Sequence, residues 1–359
     1  MTMDINVVLK EYKQKFDIEL AFYLDTVISE AREKDTFVAG ALEYIKTFSL
    51  SGGKRLRSTL MYYGYLAAGG DEKEKMIKVA LSVELIHIFL LIHDDIIDRD
   101  ELRHGVDTVH IHYGKLGKTL FPQFSGDHFG NSIALIMGDM MHALGNQILF
   151  EAPFEPALIL KALAKLQNIV ALTVIGQTKD VYIEYAKEAT EEEVLRMYEY
   201  KTARYTVEGP LHLGAILAGG DERLLEGLSR YAIPLGIAFQ IQDDILGIFG
   251  SGEKLGKPVG SDITEGKWTI LVSYALKSLN VSDKKEFLHL LQKGVALTSE
   301  DMDRFRTLVR LSGALEYAQG KAHEYISEGR KAVVELEGVN TEAREFLVGV
   351  ADFMTQREC

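Results

Sequence analysis

The sequence predicts an all-α fold in one domain spanning 1–359. Only 6 prolines occur in 359 residues. Those that bear on boundaries, Pro122, Pro153, Pro156 and Pro258, fall at segment edges or in loops, where a missing N–H costs least. Apolar residues recur at three- and four-residue spacing in window after window, the period of a helix with one buried face. Alternating runs that would make strands are scarce. No Pro/Ser-rich linker and no low-complexity tract divides the chain.

In chain order, the pattern predicts helices over roughly 5–33, 36–49, 54–69, 72–99, 125–150, 155–187, 191–204, 205–218, 221–249, 262–279, 283–294, 298–310, 312–335 and 340–356. Gly69-Gly70-Asp71 closes one helix and caps the next, and Gly219-Gly220-Asp221 repeats the device. Thr190 followed by Glu193 has the capping-box form. Residues 100–124 and 250–261 read as loops: the first is polar with three glycines, the second glycine-rich and basic (GSGEKLGKPVGS). Each follows a helix that ends in an aspartate pair, and loops on a rigid scaffold are where binding residues tend to sit.

Apolar residues make up 47% of the chain, enough for a sizeable core, and the net charge is −13. That balance disfavours a nucleic-acid binder, whose surface would be basic. The lone cysteine, Cys359, allows no intrachain disulfide and fits a reducing compartment. It is not fourth from the end, as a prenylation signal requires. Charges interrupt every apolar run of the N-terminus, so no signal peptide is read there. No uncharged apolar stretch of about 18–20 residues is found, so no membrane span is expected. The expectation is a cytoplasmic protein.

Two aspartate clusters organise the chemistry. Asp94, Asp95 and Asp98 end an apolar helical run, LIHIFLLIHDDIID, and Asp243 and Asp244 end another, AFQIQDDILGIF. Asp94 and Asp98 are four apart and share a helix face, where like charges destabilise unless something neutralises them. Hard oxygen ligands so placed suit Mg²⁺, which takes one or two carboxylates and leaves positions for water and phosphate. A solvated helix end with incidental acids is the bland alternative for either cluster alone; the second cluster weakens it. Gly52-Gly53 followed by Lys54, Arg55 and Arg57 at a helix start makes an anion-binding corner. Arg103, Lys257 and Lys267 follow the carboxylates, and Lys201 and Thr202 sit mid-chain in YEYKTARY. A lone lysine is usually a solvated surface charge; cations following both carboxylate clusters are less easily dismissed. His87 lies two turns before Asp94, about 10 Å away on the same face. A satisfied wall histidine and a phosphate donor are both open for it. Glu84-x-x-His87 also has the spacing of a di-iron ligand pair, a reading that needs a second such pair facing it from another helix.

These motifs resemble the trans isoprenyl diphosphate synthases. The resemblance runs from GGKRLR at 52–57 through ELIHIFLLIHDDIIDRDELRHG, FGNSIALIMGD, GQTKD, YKTA and FQIQDDILGIFG to GKPVGSDITEGK at 256–267, and its flavour is that of short-chain, archaeal-type geranylgeranyl diphosphate synthases. It implies an all-α barrel of helices around a deep central cavity, usually a homodimer, with an allylic diphosphate bridged by three Mg²⁺. It implies metal ligation centred on Asp94, Asp98 and Asp243, with the neighbouring Asp95 and Asp244. Arg103, Lys201, Thr202, Gln240, Lys257 and Lys267 would contact the allylic diphosphate. Lys54, Arg57, His87 and the residue at position 104 would hold isopentenyl diphosphate. Mg²⁺ and the lysines would stabilise the departing diphosphate, and an apolar cavity would protect the carbocation from water. With no side chain in an obvious general-base role, the leaving diphosphate is expected to take the proton.

The chain departs from the family at two places. His104 stands where a second arginine is usual, and a histidine is largely neutral at pH 7 unless a diphosphate raises its pKa. Gly247 stands where many relatives carry a third aspartate. Product length is tied by resemblance to Phe89, five residues before Asp94, although ideal geometry turns Phe89 about 140° from Asp94. Leu90 and Val83 lie nearer the aspartate face and are the alternative wall residues. The expected product is C20, with C15 and C25 open. Two other functions compete: a terpene cyclase on the same scaffold, which would not need Lys54 and Arg57, and a non-catalytic subunit of a heteromeric synthase, which would tend to lose aspartates.

Overall fold

The computed structural model describes residues 4–250 and 260–355. In order the helices are α1 (Ile5–Lys34), α2 (Thr36–Leu50), α3 (Leu56–Ala67), α4 (Lys73–Val79), α5 (Leu81–Asp98), α6 (Val109–Leu120), α7 (Gly126–Phe150), α8 (Pro156–Ala186) and α9 (Glu191–Tyr198). A π-helix (Glu199–Glu208) leads without a break into α10 (Gly209–Leu217). There follow α11 (Glu222–Phe249), α12 (Ser261–Glu265), α13 (Ile270–Ser278), α14 (Val281–Leu291), α15 (Ser299–Leu311), α16 (Ala314–Glu335) and α17 (Thr341–Thr355).

Local signals explain many boundaries. Thr190 and Glu193 form the reciprocal capping box that starts α9. Asp221 caps α11 by accepting from the Leu224 amide at 2.8 Å. Asp71 does not cap α4, whose N-terminal position is Glu72 without a side-chain bond. The expected 72–99 helix is interrupted at Ala80, between α4 and α5.

The expected loop at 100–124 is a correction. Residues Leu102–Arg103 and Val106–Asp107 pair as a two-stranded hairpin, and α6 follows. The turn residues His104 (φ 50°) and Gly105 (φ 82°) are both left-handed, as a type I′ hairpin requires. Histidine is among the few non-glycine residues enriched there. The glycines that suggested a loop sit in the packing of α6 on α7: Gly117 makes room for Phe129, and Gly126 and Gly130 of α7 let it approach the Gly114 backbone.

Four helical stretches are long and apolar enough to cross a membrane by length and composition, correcting the sequence expectation: 73–98, 126–150, 156–186 and 222–249. An uncharged run of about 18–20 residues is a stricter criterion, since each of these windows can hold up to two charged residues. Two of the windows, on α4–α5 and α11, are 61% and 72% buried inside the protein. Those on α7 and α8 are each only 33% buried. Their exposed apolar side chains include Leu135, Ile136, Val174, Ile175, Tyr182 and Tyr185.

Helices α5 and α7 pack along their length, α10 packs on α3, and α11 packs on α16 and the π-helix. Between α5 and α8 lies a cavity of about 600 Å³, with the π-helix and α11 as its other walls.

Candidate active site

The π-helix forms one wall because glycines receive it. A Cβ on Gly176 of α8 would collide with the Lys201 backbone, and one on Gly236 of α11 with Ala203. Such widened turns recur at functional sites. This one brings Lys201, Thr202, Tyr205 and Thr206 to the cavity lining.

At one end of the cavity, Asp94 of α5 accepts from Gln177 Nε2 at 2.9 Å and lies 3.9 Å from Lys201 Nζ. Lys201 donates to Asp180 of α8 at 2.5 Å. One turn beyond Asp94, Asp98 accepts from Lys267 Nζ at 2.7 Å. Burial opposes charge on both lysines, but Asp180 and Asp94 hold the Lys201 pKa above its ordinary value, as Asp98 and Glu265 do for Lys267. Both therefore stay cationic beside the carboxylates.

Asp95 does not line the cavity. It is fully buried and receives Arg103 through Nε at 2.8 Å and through Nη2, while Arg103 also reaches Asp100 at 3.2 Å. The expected diphosphate ligand Arg103 is thus committed to Asp95 and Asp100 and is absent from the cavity lining.

The second pair divides in the same way. Asp243 lines the cavity, whereas Asp244 is 4% exposed and turns into the core. Tyr198 Oη donates to Asp244 Oδ2, Gln240 Nε2 donates to Oδ1 at 2.8 Å, and Thr202 Oγ1 donates to Gln240 Oε1 at 2.6 Å. Burial and the nearby Asp262 push the Asp244 carboxyl up to about 8 against those hydrogen bonds. Asp262 also occupies the space that a side chain at Gly247 would need, so a carboxylate stands there after all, delivered from α12. Lys257 lies outside the described residues.

At the α3 end, Arg57 donates to His87 Nε2 at 3.1 Å and to Thr206 Oγ1 at 2.8 Å, and its guanidinium lies 4.5 Å from the centre of the Tyr205 ring. Arg57 and His87 both line the cavity. Burial and the Arg57 charge hold the His87 pKa well below its ordinary value, so it is neutral and Nε2 accepts. Lys54 instead lies 4.8 Å over the Phe353 ring of α17. His104 packs on Gly52, joining the hairpin to the Lys54–Arg57 corner. Burial, then Arg103, Arg55 and Lys13, lower its pKa, so the ring is neutral here, as expected of a histidine with no diphosphate beside it. Arg55 is a scaffold residue, bonded to Asp17 (2.7 Å), Glu84 (3.2 Å) and the Ser49 carbonyl (2.6 Å).

Phe89 and Leu90 both line the cavity. Gln177 and Asp180 belong to the GQTKD motif, and their spacing of three, which puts both on one face of α8, is the sequence signal that marks them as site residues. No three His, Cys, Asp or Glu side chains converge on one point among the described residues.

The polyprenyl synthetase family model matches residues 38–308. A geranylgeranyl diphosphate synthase of Methanosarcina mazei is 34% identical over 308 residues, 86% of this chain and 87% of that one. A geranylfarnesyl diphosphate synthase of Aeropyrum pernix is 32% identical over 329 residues, 90% of this chain and 95% of that one. The crystal structure of a geranylgeranyl pyrophosphate synthase from Corynebacterium glutamicum, complexed with isoprenyl diphosphate and magnesium, superposes with a TM-score of 0.91 at 29% identity, covering 98% of this chain and 99% of that one. With its motifs placed around one helical cavity, the chain belongs to the polyprenyl synthetase family.

Proposed function

We propose that the protein is a short-chain trans-prenyl diphosphate synthase that condenses isopentenyl diphosphate with an allylic diphosphate, giving geranylgeranyl diphosphate (C20) as its main product. The observation that carries this is one apolar-walled cavity with a carboxylate–lysine cluster at one side and the Arg57–His87 pair at another. A cyclase would have no use for the second group. Relatives that make C20 and C25 products support the length class.

Asp94, Asp98 and Asp243 are the side chains that would hold divalent metal, and bound Mg²⁺ would neutralise charge on the departing diphosphate. The Corynebacterium glutamicum structure, complexed with magnesium, supports the use of a divalent metal. Lys201 lines the cavity and is the cation placed to receive the allylic diphosphate, with Thr202 and Gln240 beside it, while Lys267, outside the lining, pairs with Asp98 and would reach the diphosphate only from behind it. Arg57 is placed to hold isopentenyl diphosphate, with His87 fixing its direction. Phe89, Leu90 and Phe239 exclude water from the allylic chain.

The poorly buried apolar faces of α7 and α8 fit a second copy of the chain, making a homodimer. Light scattering should give twice the chain mass; a monomer would remove this part. For the activity, purified protein receives farnesyl diphosphate, isopentenyl diphosphate and Mg²⁺, and product length is measured. A C20 product is expected, and no elongation would overturn the reading.

A further inference from the structure

One wall of the cavity is built by a pair whose role in the proposed elongation is not accounted for by Phe89 or Leu90. His93 lies one turn beyond Phe89 on α5, one residue before Asp94, and lines the cavity. Its ring stands edge-on to Phe89 at a centroid separation of 4.8 Å, and Phe89 meets His142 of α7 at 5.1 Å. His93 Nε2 lies 3.2 Å from the Leu135 carbonyl of α7. The ring fits there because α7 has no side chain at Gly138. A Cβ at that position would lie 2.5 Å from Nε2 and 2.6 Å from Cδ2. Separations so short are not tolerated, and Gly138 is itself buried in the α5–α7 contact, so its backbone has little freedom to retreat.

We propose that Gly138 is a specificity-determining position that acts through His93: the glycine notch withdraws the imidazole into the α5–α7 wall and so sets the cavity width available to the growing prenyl chain. The inference rests on the elongation reading above. With the notch filled, α7 blocks the ring on one side and Phe89 on another. Of the directions left to it, one is the cavity and the other is the partly exposed side where Asp139 lies 3.8 Å from Nε2. Displaced onto the cavity face, the imidazole narrows the path between Asp94 and Phe89, where the start of the prenyl tail must pass. Phe89 and His142 back the ring from below, so the three side chains act as one adjustable wall. A polar ring on this wall also leaves room for change in either direction: a smaller residue at 93 widens it, and a larger one narrows it.

The test compares product chain length for the wild type, Gly138→Ala, and the double variant Gly138→Ala/His93→Ala, each with Mg²⁺, isopentenyl diphosphate and either dimethylallyl or farnesyl diphosphate. Gly138→Ala should shorten the main product by at least one C5 unit while the first condensation on dimethylallyl diphosphate stays within about threefold of wild type. Removing the ring in the double variant should restore wild-type length or exceed it. A merely destabilised protein would lose rate with both starters and keep its product length. If Gly138→Ala does not fold, His93→Trp probes the same wall with Gly138 intact and should also shorten the product. Unchanged product length in Gly138→Ala, or shortening that the double variant fails to reverse, would overturn the inference while a C20-producing wild type leaves the elongation reading standing. A wild type that elongates nothing would overturn both.

Discussion

The two aspartate pairs end their helices alike in sequence and are held differently in space. In each, one aspartate faces the cavity (Asp94, Asp243) and its neighbour is buried behind it (Asp95, Asp244). Asp95 is met by the cation Arg103. Asp244 is met by the neutral donors Tyr198 and Gln240. The same dipeptide thus becomes a buried ion pair on α5 and a buried, proton-retaining carboxyl on α11. The difference teaches that the inner aspartates are scaffolding: one fastens the hairpin after α5, and the other orients Gln240 and, through it, Thr202.

The largest expected effect separates the two scaffolds by stability. Arg103→Met leaves the fully buried Asp95 without its cation and should cost about 3–5 kcal/mol in denaturant unfolding. Tyr198→Phe removes one donor from a carboxyl that keeps Gln240 and should cost about 1–3 kcal/mol. Equal losses would erase the distinction.

A pH series sharpens it further. Asp244 moves from an ordinary 3.8 to about 8 on folding, so the native state keeps a proton that the unfolded chain releases. Its contribution to stability therefore falls as pH rises from about 4 to about 8. In metal-free protein the Tm of Asp244→Asn should decline less than wild type over that range; parallel declines would refute the protonated carboxyl.

The smallest effect concerns the hairpin that Asp95 helps anchor. His104 is held neutral, so His104→Arg should lower the KM for isopentenyl diphosphate at pH 7.5 by only about threefold. An unchanged KM would mean that position 104 does not reach that substrate.

Much of this was legible in the sequence. The three- and four-residue apolar spacing gives the helices, because burial of one helix face is a local property of the pattern. The carboxylate clusters and the Arg57 corner were legible because each is contiguous. Which aspartate of each pair faces the cavity was legible only through the resemblance, which centred on Asp94 and Asp243; spacing alone could not give it, because adjacent helical positions differ by about 100° and the cavity side depends on distant helices. Gln177 meets Asp94 across 83 residues of chain, a contact no local pattern encodes. Helix α6 was missed because glycines used for packing on α7 look like glycines used for turns. Nothing in YEYKTARY announces the π-helix; its room comes from Gly176 and Gly236 on two other helices.

The matched pair Asp243→Asn and Asp244→Asn tests the division of labour most directly, with Mg²⁺-dependent elongation as the readout. Asp243→Asn should lose about a hundredfold or more in kcat, while Asp244→Asn, which keeps a neutral hydrogen-bonding group in the core, stays within about tenfold of wild type. Equal losses, or a greater loss from Asp244→Asn, would contradict the assignment of Asp243 to the substrate and Asp244 to the scaffold.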